Sequence, residues 1–186
     1  MKLFKLTRTI DGYGVYPDIF FYDFSTAIKA VQNTSCIYYD AENNKYDIYG
    51  MKAAMVNQSE DNFSLYGIRF PEKDFDQFSI EYCKIVVEAI ELPFDINSNK
   101  LYALGIEYGY RNYCLTRKYK KSFILQYAPT KKKAKKLSKF KEYKKYPRIW
   151  NNKDEPKYSI FGDGGDYLII KSFDVYKEED LYKVKR

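Results

Sequence analysis

The 186-residue chain contains no histidine. That excludes every Ser-His and Cys-His nucleophile pair, every histidine general base and every zinc site that needs an imidazole. Cysteine is sparse: Cys36, Cys83 and Cys114 form no C-x-x-C pair. A cysteine zinc cluster therefore has no sequence support, and an odd, scattered set of thiols suits a reducing cytosol. Proline and glycine are few, at 6 and 9, so neither a Pro-rich nor a Gly-rich linker is present. No apolar run approaches the roughly 18 residues that a membrane helix needs. The apolar stretch at Met1–Leu6 is interrupted too early by Arg8 and Asp11 for a signal peptide. The P-loop, G-x-G-x-x-G and G-x-S-x-G patterns are absent from the sequence, which leaves nucleotide-triphosphate, dinucleotide and serine-hydrolase chemistry without support. The expectation is a cytoplasmic protein of one domain, with neither cofactor nor metal and with no catalytic residue to name.

What is abundant is lysine and aromatic surface. Hydrophobic residues make up 45% and charged residues 31%, a balance that can bury a core without disulfides. Lys, Tyr, Ile, Phe and Asn are all encoded by AT-rich codons, and together they number 86 of the 186 residues. An AT-rich genome, such as that of a low-GC bacterium, its phages or its plasmids, accounts for part of the Lys and Tyr content.

Codon bias does not account for where the charge lies. Residues 1–110 are net −6, residues 111–148 net +14 and residues 149–186 net −1, giving +7 overall. The basic block comprises Arg117, Lys118, Lys120, Lys121, Lys131, Lys132, Lys133, Lys135, Lys136, Lys139, Lys141, Lys144, Lys145 and Arg148. Aromatic residues interleave it, and Tyr119, Phe140, Tyr143, Tyr146 and Trp150 are the candidates for base stacking or for fixing the block in place. Concentrated positive charge binds phosphate chains by releasing counterions. Lysine is a point charge without arginine's planar fork, so such binding is expected to be weakly sequence-specific.

Coarse periodicity predicts an α+β protein with a mostly antiparallel sheet. A strand is expected over residues 2–10 and a short helix after Asp23 or Ser25. A hairpin around Asn43-Asn44 and a strand over 63–70 follow. A core helix is expected over about 72–91, where Glu81, Lys84, Glu88 and Glu91 step by three and four. Strands are expected at 101–110, 113–119, 122–127, 158–161 and 167–176. The basic helix is placed at about 130–146, capped by Thr130 and anchored by Leu137, Phe140 and Tyr143, within an insertion or appendage spanning about 117–150. Gly105 and Gly109 suggest a strand with a bulge or close packing. The run Gly162-Asp163-Gly164-Gly165-Asp166 reads as a hairpin loop rather than a cation site. The acid-x-x-Lys spacings at Glu81/Lys84 and Asp174/Lys177 resemble those of metal nucleases, but neither follows a convincing acidic strand end.

Two functions fit this pattern. The first is non-enzymatic binding of RNA, DNA or a nucleoprotein assembly through the lysine-rich helix. The second is a phage- or plasmid-type inhibitor that contacts a host nucleic-acid enzyme, such as a CRISPR effector or a restriction enzyme, protein to protein. The second would use the acidic half against a basic channel, with Asp11, Asp18, Asp23, Asp40, Glu42, Asp47, Glu60 and Asp61 as candidate contacts, or the basic helix on the enzyme's guide or substrate. No membrane partner is expected.

Overall fold

The computed structural model describes residues 1–10, 14–15, 18–34, 37–48, 53–69, 81–111, 118–148, 150 and 166–184. The fold is α+β with a mostly antiparallel arrangement of strands. The chain divides into two compact units: Met1–Pro93 with Asp174–Arg186, and Phe94–Phe173.

In the first unit, β1 (Lys2–Ile10) pairs antiparallel with β2 (Gly14–Val15), with β3 (Ile19–Phe21) and, along its whole length, with β8 (Glu81–Glu91). The sheet continues from β8 to β7 (Asn62–Arg69) and then to β6 (Ala53–Gln58). Helix α1 (Phe24–Gln32) covers one face with Thr26, Ala27, Ala30 and Val31, the i, i+3, i+4 spacing of an amphipathic helix. Beneath it lie Phe4, Leu6, Phe63, Leu65, Ile85 and Val87, all buried in one cluster. Each of these large side chains contributes about 1.5–3 kcal/mol by leaving water. Asp23 starts the helix by accepting from the Thr26 amide (2.7 Å) and from the Ser25 and Thr26 hydroxyls. A separate hairpin, β4 (Ile37–Asp40) and β5 (Lys45–Ile48), closes through a turn in which Asn44 adopts φ 49°. Asn tolerates that left-handed conformation better than most residues.

Residues 81–91 are a strand, which corrects the helix expected over about 72–91; residues 70–80 lie outside those described. The three- and four-residue steps of the polar positions fit a helix, but the apolar positions 83, 85 and 87 keep period two. Cys83, Ile85 and Val87 are buried and Lys84 between them is exposed. Three consecutive β-branched residues, Ile85-Val86-Val87, favour a strand. On the opposite face, neighbouring strands satisfy the charges. Glu88 pairs with Lys5 directly across from it, and the Lys84 ammonium lies 5.4 Å from the ring centre of its cross-strand neighbour Tyr66.

The second unit is built on β9 (Lys100–Arg111), hydrogen-bonded on one side to β10 (Lys118–Ala128) and on the other to β11 (Tyr167–Tyr176). β11 belongs to this unit as far as Phe173, and its last residues, Val175 and Tyr176, pair parallel with Phe20 and Phe21 in the first unit. The β9–β10 register jumps between Ile124 and Gln126, leaving Leu125 as the extra residue opposite Gly105 and Leu104. Gly105 fits there because a Cβ would stand 3.0 Å from the Phe123 carbonyl oxygen and 3.4 Å from Ile169 Cγ1. Leu101, Ala103, Leu104, Ile106, Ala128, Tyr167 and Leu168 are buried in this unit, and the Tyr167 hydroxyl donates to Glu107 Oε1.

Candidate nucleic-acid interface

The basic block begins on β10 and continues onto a helix. Pro129 has no amide proton to extend the ladder, and Thr130 caps the next element through its hydroxyl, which accepts from the Lys133 amide at 3.2 Å. Helix α2 (Lys131–Leu137) then runs for 7 residues and packs on β9 and β10. It is shorter than the helix expected over about 130–146. The Ser138 hydroxyl turns back to the Lys135 carbonyl at 2.7 Å, and Phe140 adopts an extended conformation. A single 3-10 turn, Lys141–Tyr143, follows. Like charges one turn apart on α2 repel by about 0.2–0.5 kcal/mol per pair, which discourages a longer lysine helix.

The anchor also differs from expectation. Ala134 and Ser138, one turn apart, are buried at 0% and 2% exposure, whereas Leu137 and Tyr143 are only half-buried and Phe140 is 50% exposed. Small residues let the helix lie close to the β9–β10 hairpin. Arg148 braces the end of the block: its Nη2 donates to the Ser138 carbonyl at 3.1 Å. A parallel bridge between Arg148 and Leu168, with the Leu168 amide donating to the Pro147 carbonyl at 2.8 Å, ties the block to β11. The sequence marks Arg148 as a phosphate ligand; here one arm of its guanidinium holds the backbone.

This anchoring determines where the lysines point. At about 100° per residue, Lys131, Lys135, Lys139, Lys132 and Lys136 fall within an arc of about 140°, beside the buried Ala134 and Ser138 positions. These five side chains line one shallow concave surface. Lys133 lies outside the arc on the same helix, and Lys141, Lys144 and Lys145 are exposed on the turns that follow.

The lysines of the two units differ in their neighbours. In the first unit Lys2 pairs with Asp61 (2.5 Å), Lys45 with Asp47 (3.5 Å) and Lys183 with Asp180 (2.5 Å), while Lys5 pairs with Glu88 and Lys29 with Glu178. Among the described residues, none of the nine lysines from Lys131 to Lys145 forms an ion pair with a carboxylate. Two touch aromatic rings instead. Lys135 Nζ lies 5.7 Å from the ring centre of Trp150, and Lys145 Nζ lies 4.9 Å from that of Tyr146.

The remaining sequence candidates are placed as follows. Lys118, Tyr119, Lys120 and Lys121 occupy the start of β10, with side chains outside the described set; Arg117 lies outside the described residues altogether. Trp150, Tyr143 and Tyr146 are half-buried. Phe123, one of the aromatics that interleave the basic block, and Leu125 are exposed at 45% and 37% on β10. The bulge at Leu125 disturbs the in–out alternation there, and only the Gly105 position opposite hinted at it. Residues 151–165, with the expected 158–161 strand and most of the Gly162–Asp166 loop, lie outside the described residues, as do Cys36 and Cys114. Cys83 is buried.

The acidic half is largely engaged locally. Asp23 caps α1, and Asp18 accepts from the Thr7 hydroxyl at 3.1 Å. Asp40 accepts from the Glu42 and Asn43 amides and the Asn43 side chain, which holds its carboxyl below the ordinary carboxylate range. Among the described residues, no helix is long and apolar enough to cross a membrane, and no group of three or more acids and thiols stands close enough to share a metal ion. No protein-family model, curated protein or solved structure matches this chain.

Proposed function

We propose that this protein binds nucleic acid, or an assembly that carries it, through the lysine arc of α2, without catalysing a reaction. The supporting observation is the contrast between the two sets of lysines. Five of the seven described lysines of the first unit stand against carboxylates, whereas Lys131, Lys132, Lys135, Lys136 and Lys139 line one surface that no acidic side chain among the described residues neutralises. Mutual repulsion makes that face costly in isolation, and a phosphate chain relieves it. With five ammonium groups and no Arg, Asn or Gln on α2, contact goes to the backbone of the polymer, and specificity for base sequence is weak.

Inhibition of a host nucleic-acid enzyme by protein contact is the competing reading. Where it uses the acidic half as a docking surface, Asp23, Asp40, Asp47 and Asp61 already serve a cap, a turn and two ion pairs; where it uses the basic helix on the enzyme's guide or substrate, it draws on the same lysines. The test is a charge reversal at Lys132, Lys136 and Lys139, each changed to Glu, read as retention on immobilised RNA and DNA. Direct binding predicts that retention is lost. Unchanged retention refutes the assignment to α2, and no retention of the unaltered protein leaves the protein-contact reading in its place.

A further inference from the structure

We infer that the lysine arc takes a single strand rather than a duplex, with bases stacking on Phe140 while phosphates cross the arc. This rests on the proposed nucleic-acid reading and narrows its substrate class. Phe140 immediately follows Lys139, the last lysine of the arc, and its amide donates to the Leu137 carbonyl at 3.1 Å, which holds it in the turn just beyond α2. Its ring is 50% exposed, so it is not part of the buried core, and lysines precede and follow it in the chain.

An isolated exposed phenylalanine is ordinary on a protein surface. One set between phosphate-binding ammonium groups has a specific use, because every base presents a π face for it to stack on. A duplex hides those faces inside its own stack and offers the protein groove edges instead. Of the usual groove-edge readers, α2 carries only lysine, which reaches guanine alone, and no Arg, Asn or Gln. Its 7 residues span only about 10 Å, enough to follow one backbone but short for a recognition helix lying in a major groove. Trp150 is a second stacking surface within reach of the same arc: Lys135 now stands over its ring, and a phosphate that draws Lys135 away uncovers it.

The experiment measures binding of the full chain to fluorescently labelled oligouridine RNA, oligothymidine DNA and an RNA hairpin duplex, for the unaltered protein and for Phe140→Ala and Phe140→Trp. Both single strands should bind more tightly than the duplex. Phe140→Ala should weaken single-strand binding by about 5- to 150-fold, the range for losing one stacked base, with the salt dependence unchanged and recovered affinity in Phe140→Trp. Duplex binding as tight as single-strand binding, or a Phe140→Ala variant of undiminished affinity, overturns the inference. If neutralising Lys132, Lys136 and Lys139 weakens binding while Phe140→Ala does not, the lysine arc stands and the single-strand inference falls. If no polynucleotide binds, both fall. Circular dichroism of the Phe140 variants checks that the fold is retained.

Discussion

Adding one methyl group at Gly105 tests the packing of the hairpin that carries α2. A Cβ there lies 3.0 Å from the Phe123 carbonyl oxygen and 3.4 Å from Ile169 Cγ1. The carbonyl belongs to the backbone of β10, paired along its length with β9, so it cannot move aside as a flexible side chain would. Overpacking of this kind costs about 1–3 kcal/mol. Against it stands the conformational gain of replacing a strand glycine, about 0.5–1 kcal/mol. The clash wins over most of that range, and Gly105→Ala is predicted to lose up to about 2.5 kcal/mol. For a chain of this size, that corresponds to a fall of up to about 10 °C in Tm. Gly105→Val should lose more, because its two further methyl groups enter the same space. The rank order makes the test decisive: strand propensity alone places Val above Ala above Gly, and the geometry reverses it. Thermal unfolding followed by circular dichroism, with hydrogen exchange of the β9 and β10 amides, reads the result. A Tm that rises from Gly to Ala to Val refutes the packing argument.

Two further predictions concern charge. Partial burial pushes the Asp23 carboxyl up, but its bonds from the Thr26 amide and the Ser25 and Thr26 hydroxyls, with the charge of Lys29, outweigh that effect and lower it overall. A lowered carboxyl stabilises the fold above its unfolded value of about 3.9, and that contribution is lost as pH falls through the folded value. Asp23→Ala should therefore cost about 1 kcal/mol at neutral pH, the usual worth of a helix cap, and the difference from the unaltered protein should shrink below about pH 4 in denaturant titrations. A gap that stays constant to low pH contradicts the cap assignment. On α2, Lys135→Gln should reduce the salt dependence of polynucleotide binding by nearly one phosphate contact, and Lys133→Gln, outside the arc, by clearly less. Equal effects at the two positions refute the arc.

Much of the molecule was legible where a local signal had one physical solution. Asp23 or Ser25 as cap, with the spacing of Phe24, Ala27, Ile28 and Val31, gave the helix, and the structure selects Asp23. The Asn43-Asn44 turn gave the β4–β5 hairpin, and Thr130 gave the start of α2. The charge block needed no structure to be seen. Residues 81–91 read as a helix because Glu81, Lys84, Glu88 and Glu91 keep a helical step, whereas the strand shows only in the alternation of Cys83, Ile85 and Val87 with Lys84, and the partners that decide the matter, Lys5 on β1 and Tyr66 on β7, lie far away in sequence. β6 is an edge strand without strong alternation and was missed for a similar reason. The anchor of α2 was misplaced because large apolar residues were expected to hold it, whereas close approach to the hairpin selects the small Ala134 and Ser138. The contrast between paired and carboxylate-free lysines depends on which side chains meet across strands and turns, which no local window reveals.

The most direct test of the account is the salt dependence of polynucleotide binding by the unaltered protein. Five phosphates neutralised by the arc predict a slope of log affinity against log salt of about −3.5 for a single strand and about −4.5 for a duplex. Between about 50 and 200 mM salt, that is a loss of about 100- to 500-fold. A slope near zero, or no binding even at the lower salt, contradicts the claim that the α2 lysines form a nucleic-acid surface.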